Sequence, residues 1–174
     1  CICAAADLPA GSGIILPPNT FTATAEGIVL AGHVPVFADV ERGTWTLDPE
    51  KLRQVADDWR GPDGVVDPRT GARIAAVMSV DLYGQPADNI ALEQVAEENG
   101  WVLLEDACQA HDAALAGRPA GGFGLAAAFS FYPGKNLGAF GEAGAVTTDS
   151  DEVASRARML RDHGSNSKYY YSMV

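Results

Sequence analysis

Lys135 follows Pro133-Gly134, a pair that forces a turn, inside the glycine-crowded stretch FSFYPGKNLGAFGEAGAV that runs from Phe129 to Val146. An exposed lysine on such a loop is ordinarily a solvated charge. A lysine desolvated there loses its proton and attacks a carbonyl as a Schiff-base nucleophile. Asp106 and Gln109 form the second candidate pair, three residues apart, so that one turn of helix would aim both the same way. Asp106 reads either as a helix cap or as the carboxylate facing a protonated pyridine nitrogen, which keeps such a ring an electron sink.

These residues draw attention because ligands of doubly wound sheets bind outside the carboxyl ends of the strands. Three polar segments stand just past apolar strands: Pro17-Pro18-Asn19-Thr20-Phe21, Glu105 to Gln109, and Ser130 to Asn136. The apolar runs themselves alternate with amphipathic stretches, the pattern of βαβ units, and the class is α/β. Strands are expected at Ile14 to Leu16, Val34 to Val40, Arg73 to Val80, Trp101 to Leu104, Ala126 to Phe131 and Ala145 to Thr148. Helices are expected at Thr22 to Ala31, with Thr20 near its start, at Ile90 to Glu98, and at Glu152 to Leu160. A further helix follows the Asp48-Pro49 cap, with Leu52, Val55 and Trp59 on its apolar stripe. Gly61 to Gly71 reads as a surface loop.

The chain has 174 residues, 47% of them hydrophobic and 20% charged, the composition of one globular domain with a real core. Its formal net charge of -11 repels polyanions, which argues against nucleic acid and against docking on an anionic membrane. The apolar runs are far shorter than the ~20 residues that a span requires. Three cysteines, Cys1, Cys3 and Cys108, lack zinc spacing and suit a reducing cytoplasm better than a disulfide scaffold. His33, His111 and His163 are too dispersed for a metal cluster, and no metal is expected. Gly122 to Ala127 satisfies a G-x-G-x-x-A string, yet it follows a loop rather than a strand and is discounted as a dinucleotide site. A Cys108–His111 thiol nucleophile is discounted in favour of a buried structural cysteine.

Five ordered stretches together resemble the DegT/DnrJ/EryC1/StrS family of sugar aminotransferases: Pro17 to Val40, DLYGQPAD (Asp81 to Asp88), VLLEDACQAHDA (Val102 to Ala113), Phe129 to Val146, and LRDHGS (Leu160 to Ser165). The resemblance implies pyridoxal 5'-phosphate as cofactor and a fold-type-I, aspartate aminotransferase-like large domain, a three-layer α/β/α sandwich with a mostly parallel sheet. It implies that Lys135 bonds covalently to the cofactor and shuttles the proton, that Asp106 pairs with the pyridinium, and that Gln109 stands beside the 3-hydroxyl. It further implies that Ser130 binds the phosphate and that Phe21 stacks on the ring, with Asn136 and His111 in support.

The implied reaction moves an amino group from an amino acid, with glutamate as donor, to a nucleotide-linked ketosugar. Relatives that dehydrate ketosugars carry histidine in place of the lysine, so Lys135 favours transfer; a catalytically silent partner or regulatory protein is the other alternative. FYPGKNLGA with HGS and Lys168-Tyr169 resembles relatives that aminate the 3-keto position. Cys108, Asp112 and Glu142-Ala143 depart from the family pattern without removing a cofactor contact. Residues 1–174 are expected to be part of the large domain, a fragment without the upstream phosphate loop and the C-terminal small domain, and a homodimer is expected of the complete protein. It opens on Cys1 and closes on an aromatic segment without a capping signal.

Overall fold

The computed structural model describes residues 1–167 together with 170 and 171. Six strands form its central sheet: β1 (Gly13–Leu16), β2 (Val34–Phe37), β3 (Ile74–Val80), β4 (Val102–Asp106), β5 (Ala126–Ser130) and β6 (Gly144–Thr147). Their order is β6-β5-β4-β3-β1-β2, and only the β5–β6 pair is antiparallel. The strands are continuously apolar because the sheet is covered on both faces. Their side chains still alternate: Ile14, Leu16, Ala76, Met78 and Leu104 enter one core, whereas Ile15, Val77 and Leu103 enter the other.

Helices α1 (Ile2–Ala5), α2 (Thr22–Leu30) and α5 (Asp151–Arg161) cover the first face, contributing Ile2, Ile28 and Val153 to its core. Helices α3 (Pro49–Asp58) and α4 (Asn89–Asn99) cover the second with Leu52, Leu92 and Val95. The result is the expected three-layer α/β/α sandwich. Local chemistry sets the helix starts. The Asp48 carboxylate accepts the Glu50 N–H with Pro49 in the first turn, and Ser150 accepts from Val153 with Asp151 and Glu152 beside it.

Several boundaries differ from the sequence reading. The second strand stops at Phe37 rather than Val40, because Asp39 takes the Val40 N–H at 2.8 Å and Val40 bridges instead to Leu47. The Gly61 to Gly71 loop contains a small hairpin pairing Arg60–Gly61 with Gly64–Val65. The fourth strand extends through Asp106, and no helix follows it. Asp106 captures the Cys108 N–H at 3.1 Å, Ala107 donates to the Ala128 carbonyl at 3.0 Å, and Asp112 takes a φ of 64°, so the segment turns away into a hairpin of Ala114–Leu115 with Arg118–Pro119. Gly124 closes that region on the sheet: at φ +64° a Cβ there would lie 2.3 Å from the Leu103 carbonyl oxygen.

Candidate active site

Parallel β1, β3, β4 and β5 deliver their carboxyl ends to one edge of the sheet, where all three polar segments of the sequence meet. Asp106, the last residue of β4, is registered between Val80 of β3 and Ala128 of β5. Its Oδ2 accepts from the Thr24 hydroxyl at 2.7 Å and its Oδ1 from the Cys108 N–H at 3.1 Å. The single Thr24 proton is spent on Asp106, so the 2.7 Å contact between the Thr20 and Thr24 hydroxyls has Thr20 as donor. The carboxylate thus stands at the end of a short relay from α2. With Thr24, Cys108, Met78, Ala128 and Phe129 it lines a cavity of about 710 Å³.

Gln109 is oriented by a different element. Its Oε1 accepts the Tyr83 N–H at 2.7 Å, which points the amide nitrogen of Gln109 the other way. Tyr83 lies in the turn after β3 at φ 57°, and Gly84, at φ +85°, has room for no more than a tight Cβ, 3.2 Å from the Gln109 carbonyl oxygen. Asp106 and Gln109 therefore come together from sheet and turn contacts and not from a shared helix.

Lys135 lies on the loop between β5 and β6. Its N–H donates to the Tyr132 carbonyl at 2.8 Å, closing the turn that Pro133-Gly134 begins, and the Ala139 and Phe131 amides staple the loop's base at 2.8 and 2.9 Å. Gly138 makes the turn possible: a Cβ there would lie 2.4 Å from the Pro133 carbonyl oxygen. Ser130 accepts the Tyr132 N–H at 3.3 Å through Oγ. Phe21 is the N-cap of α2 and is 67% exposed, three residues ahead of Thr24. His111 packs against the Phe129 and Phe131 rings with centroids 5.6 and 5.5 Å away, and both its ring nitrogens lack a hydrogen-bond partner. Asn136 is exposed. Phe21, Gln109, Ser130 and Lys135 do not line the cavity that holds Asp106; they stand on the loops of the same sheet edge. Lys168 and Tyr169 lie outside the described residues.

Burial pushes the Cys108 thiol up to about 12, and the adjacent Asp106 carboxylate adds to it while the Lys135 charge acts in the opposite sense. Such a thiol is not a nucleophile near neutral pH. Burial likewise raises Cys3. Among the described residues no cluster of His, Cys, Asp or Glu forms a metal centre, and no helix is long and apolar enough to cross a membrane. The sequence reading missed Thr24 and Tyr83. Thr20 and Thr24 carried a signal in their four-residue spacing, which puts two hydroxyls on one face of an otherwise small-residue helix.

An open, mostly parallel sheet between two helical layers, with its ligand-bearing residues at the strand ends, is the fold of the large domain of fold-type-I aminotransferases. Residues 2–174 match the DegT/DnrJ/EryC1/StrS aminotransferase family, and the chain belongs to that family. It is 42% identical over 159 residues to the dTDP-3-amino-3,4,6-trideoxy-alpha-D-glucose transaminase of Streptomyces venezuelae, covering 91% of this chain and 38% of that protein. It is 38% identical over 170 residues to a pleiotropic regulatory protein of Geobacillus stearothermophilus, covering 98% of this chain and 42% of that one. The crystal structure of S. venezuelae DesV in complex with a ketimine intermediate superimposes with a TM-score of 0.85 at 38% identity, over 99% of this chain and 43% of that one. The chain thus spans about two fifths of the length of these relatives.

Proposed function

We propose that this chain is the central part of the large domain of a pyridoxal 5'-phosphate-dependent aminotransferase that acts on a nucleotide-linked ketosugar. The observation that carries the reading is Asp106, a carboxylate fixed by Thr24 and the Cys108 amide at the end of β4 and turned toward a mainly apolar cavity. The residues fit the cofactor chemically. A carboxylate so oriented matches a protonated ring nitrogen, Gln109 has its amide donors free of the Tyr83 contact for a ring oxygen, and Ser130 with the turn amides offers donors to a phosphate. Phe21 supplies an exposed aromatic face.

The cofactor, when bound, supplies an electron-withdrawing ring that stabilises negative charge on the carbon bearing the amine. Asp106 holds the proton on the ring nitrogen. Lys135 anchors the cofactor through Nζ, is released when the donor amine replaces it, and then takes the proton from the donor's α-carbon and passes it on. The donor is glutamate and the acceptor a ketosugar, the 3-keto class in this reading. Segments before and after these residues complete the phosphate loop and a smaller domain, and the protein is a cytoplasmic homodimer.

Similarity to a protein named as a pleiotropic regulator favours a second reading, a regulatory protein on the same fold. Lys135 and Asp106 are both present and weigh toward catalysis. The two are separated by turnover of the full-length protein with glutamate and a set of nucleotide-linked 3- and 4-ketosugars: amine transfer that Lys135→Ala abolishes supports the enzyme. Absence of both cofactor binding and transfer supports the regulator.

A further inference from the structure

Glu105 and Asp106 are neighbours on β4, so they point to opposite faces of the sheet. Asp106 faces the cavity. Glu105, fully buried, faces the α4 side, where its Oε1 accepts the Gly121 N–H at 2.8 Å and its Oε2 the Phe123 N–H at 3.0 Å. Asp81, just past β3 and only 1% exposed, meets it there. Asp81 Oδ1 accepts the Ala87 N–H at 2.9 Å and the Asn89 side-chain amide at 3.2 Å, while its buried Oδ2 receives no N–H or O–H donor among the described residues. No cation pairs with either carboxyl among the described residues, and two ionised carboxylates in buried contact are strongly disfavoured. One proton between them resolves the conflict, and Asp81 Oδ2 is the oxygen with nothing else to do.

We propose that Asp81 is held as a neutral acid donating Oδ2–H to Glu105, and that this buried carboxyl pair is the positioning device that seats Gln109 and Asp106 at the sheet edge. The links are on both sides of the pair. The Asp81 N–H donates to the Asp106 carbonyl at 3.0 Å, and its carboxyl ties Ala87 and Asn89 to the end of β3. The turn between these anchor points carries Tyr83, which fixes the Gln109 amide. Across β4, Glu105 holds the Gly121 to Phe123 segment that leads into β5. Burial first, then Glu105, pushes Asp81 up from 3.8 to about 8; the other groups acting on it, the Ala87 amide and Asn89, are neutral and stabilise the ionised form.

The sign follows from that shift. Between about 4 and about 8 the folded protein holds a proton that the unfolded chain has released, so stability falls as pH rises through about 8. The inference rests on the cofactor reading only for its binding readout. Its test uses the full-length protein as wild type, Asp81→Asn and Asp81→Ala. In the cofactor-free wild type, infrared difference spectra should show a protonated carboxyl that disappears with a midpoint about pH 8, and that signal should be missing in Asp81→Asn. Asparagine keeps a donor toward Glu105, so its melting temperature should stay flat from pH 7 to 9.5 where that of the wild type declines. Wild-type affinity for pyridoxal phosphate should weaken about tenfold relative to Asp81→Asn across the same range, a typical coupling between linked sites. Asp81→Ala should bind weakly at every pH. A wild type without the carboxyl signal, or Asp81→Asn following the wild-type pH profile or as damaged as Asp81→Ala, would overturn the proposal. Failure of every variant to bind cofactor while the carboxyl signal persists would overturn the functional reading and leave the acid pair standing.

Discussion

Asp106 takes its orientation from a threonine 82 positions away in the chain, and that hydrogen bond carries a measurable share of the site. Replacing Thr24 by valine removes a donor to a carboxylate, a bond worth about 1.5–3 kcal/mol, so pyridoxal phosphate should bind the full-length Thr24→Val protein at least about tenfold more weakly. Thr24→Ser should restore binding, and fluorescence titration reads both. Cys108 allows a second check at the same spot. With its thiol pushed up to about 12, it should resist alkylation by iodoacetamide at pH 8 in the folded protein and react once urea exposes it; rapid modification of the folded form would contradict the buried setting. Neither partner of Asp106 was legible in the sequence. Thr24 lies on a helix with nothing but small neighbours to mark it, and the Asp81–Glu105 contact joins residues 24 apart that only the β3–β4 register brings together.

At the scale of elements, the strands were readable because burial on both faces makes them continuously apolar, as at Ile14 to Leu16 and Ile74 to Val80. The helix starting at Asp48-Pro49 was readable from its cap, and Asp48→Ala should cost about 1 kcal/mol in urea unfolding. The four-residue helix Ile2–Ala5 gave no periodic signal, being too short to show one. The expected helical turn at Asp106 to Gln109 fails for a tertiary reason, since Ala107 prolongs pairing with β5 and Asp106 spends an oxygen on Cys108. The loop closing onto β4 is equally a matter of close approach. Gly124→Ala combines a left-handed backbone with a Cβ 2.3 Å from the Leu103 oxygen, and it should destabilise the protein by about 2–4 kcal/mol. A stability change below 1 kcal/mol would mean that the segment before β5 is less tightly seated than it is here.

The molecule as a whole presents large apolar side chains at the edge where the site lies. Phe21, Tyr83, Tyr132, Leu137 and Phe140 are all exposed there. Under the homodimer reading these groups are covered by the rest of the protein and by a second copy, so Leu137→Asp with Phe140→Asp should shift the full-length protein from dimer to monomer in analytical ultracentrifugation. A net charge of -11 favours solubility of the exposed surface but repels the diphosphate of a nucleotide sugar, which must be met by local donors. The central claim is that Lys135 and Asp106 serve one cofactor. Its most direct test is the visible absorbance spectrum of the full-length protein with pyridoxal phosphate, before and after glutamate, for wild type and Lys135→Ala. A coloured band that glutamate bleaches in the wild type and that is lost or shifted in Lys135→Ala is the predicted result; an unchanged spectrum in Lys135→Ala, or no band in either protein, would contradict it.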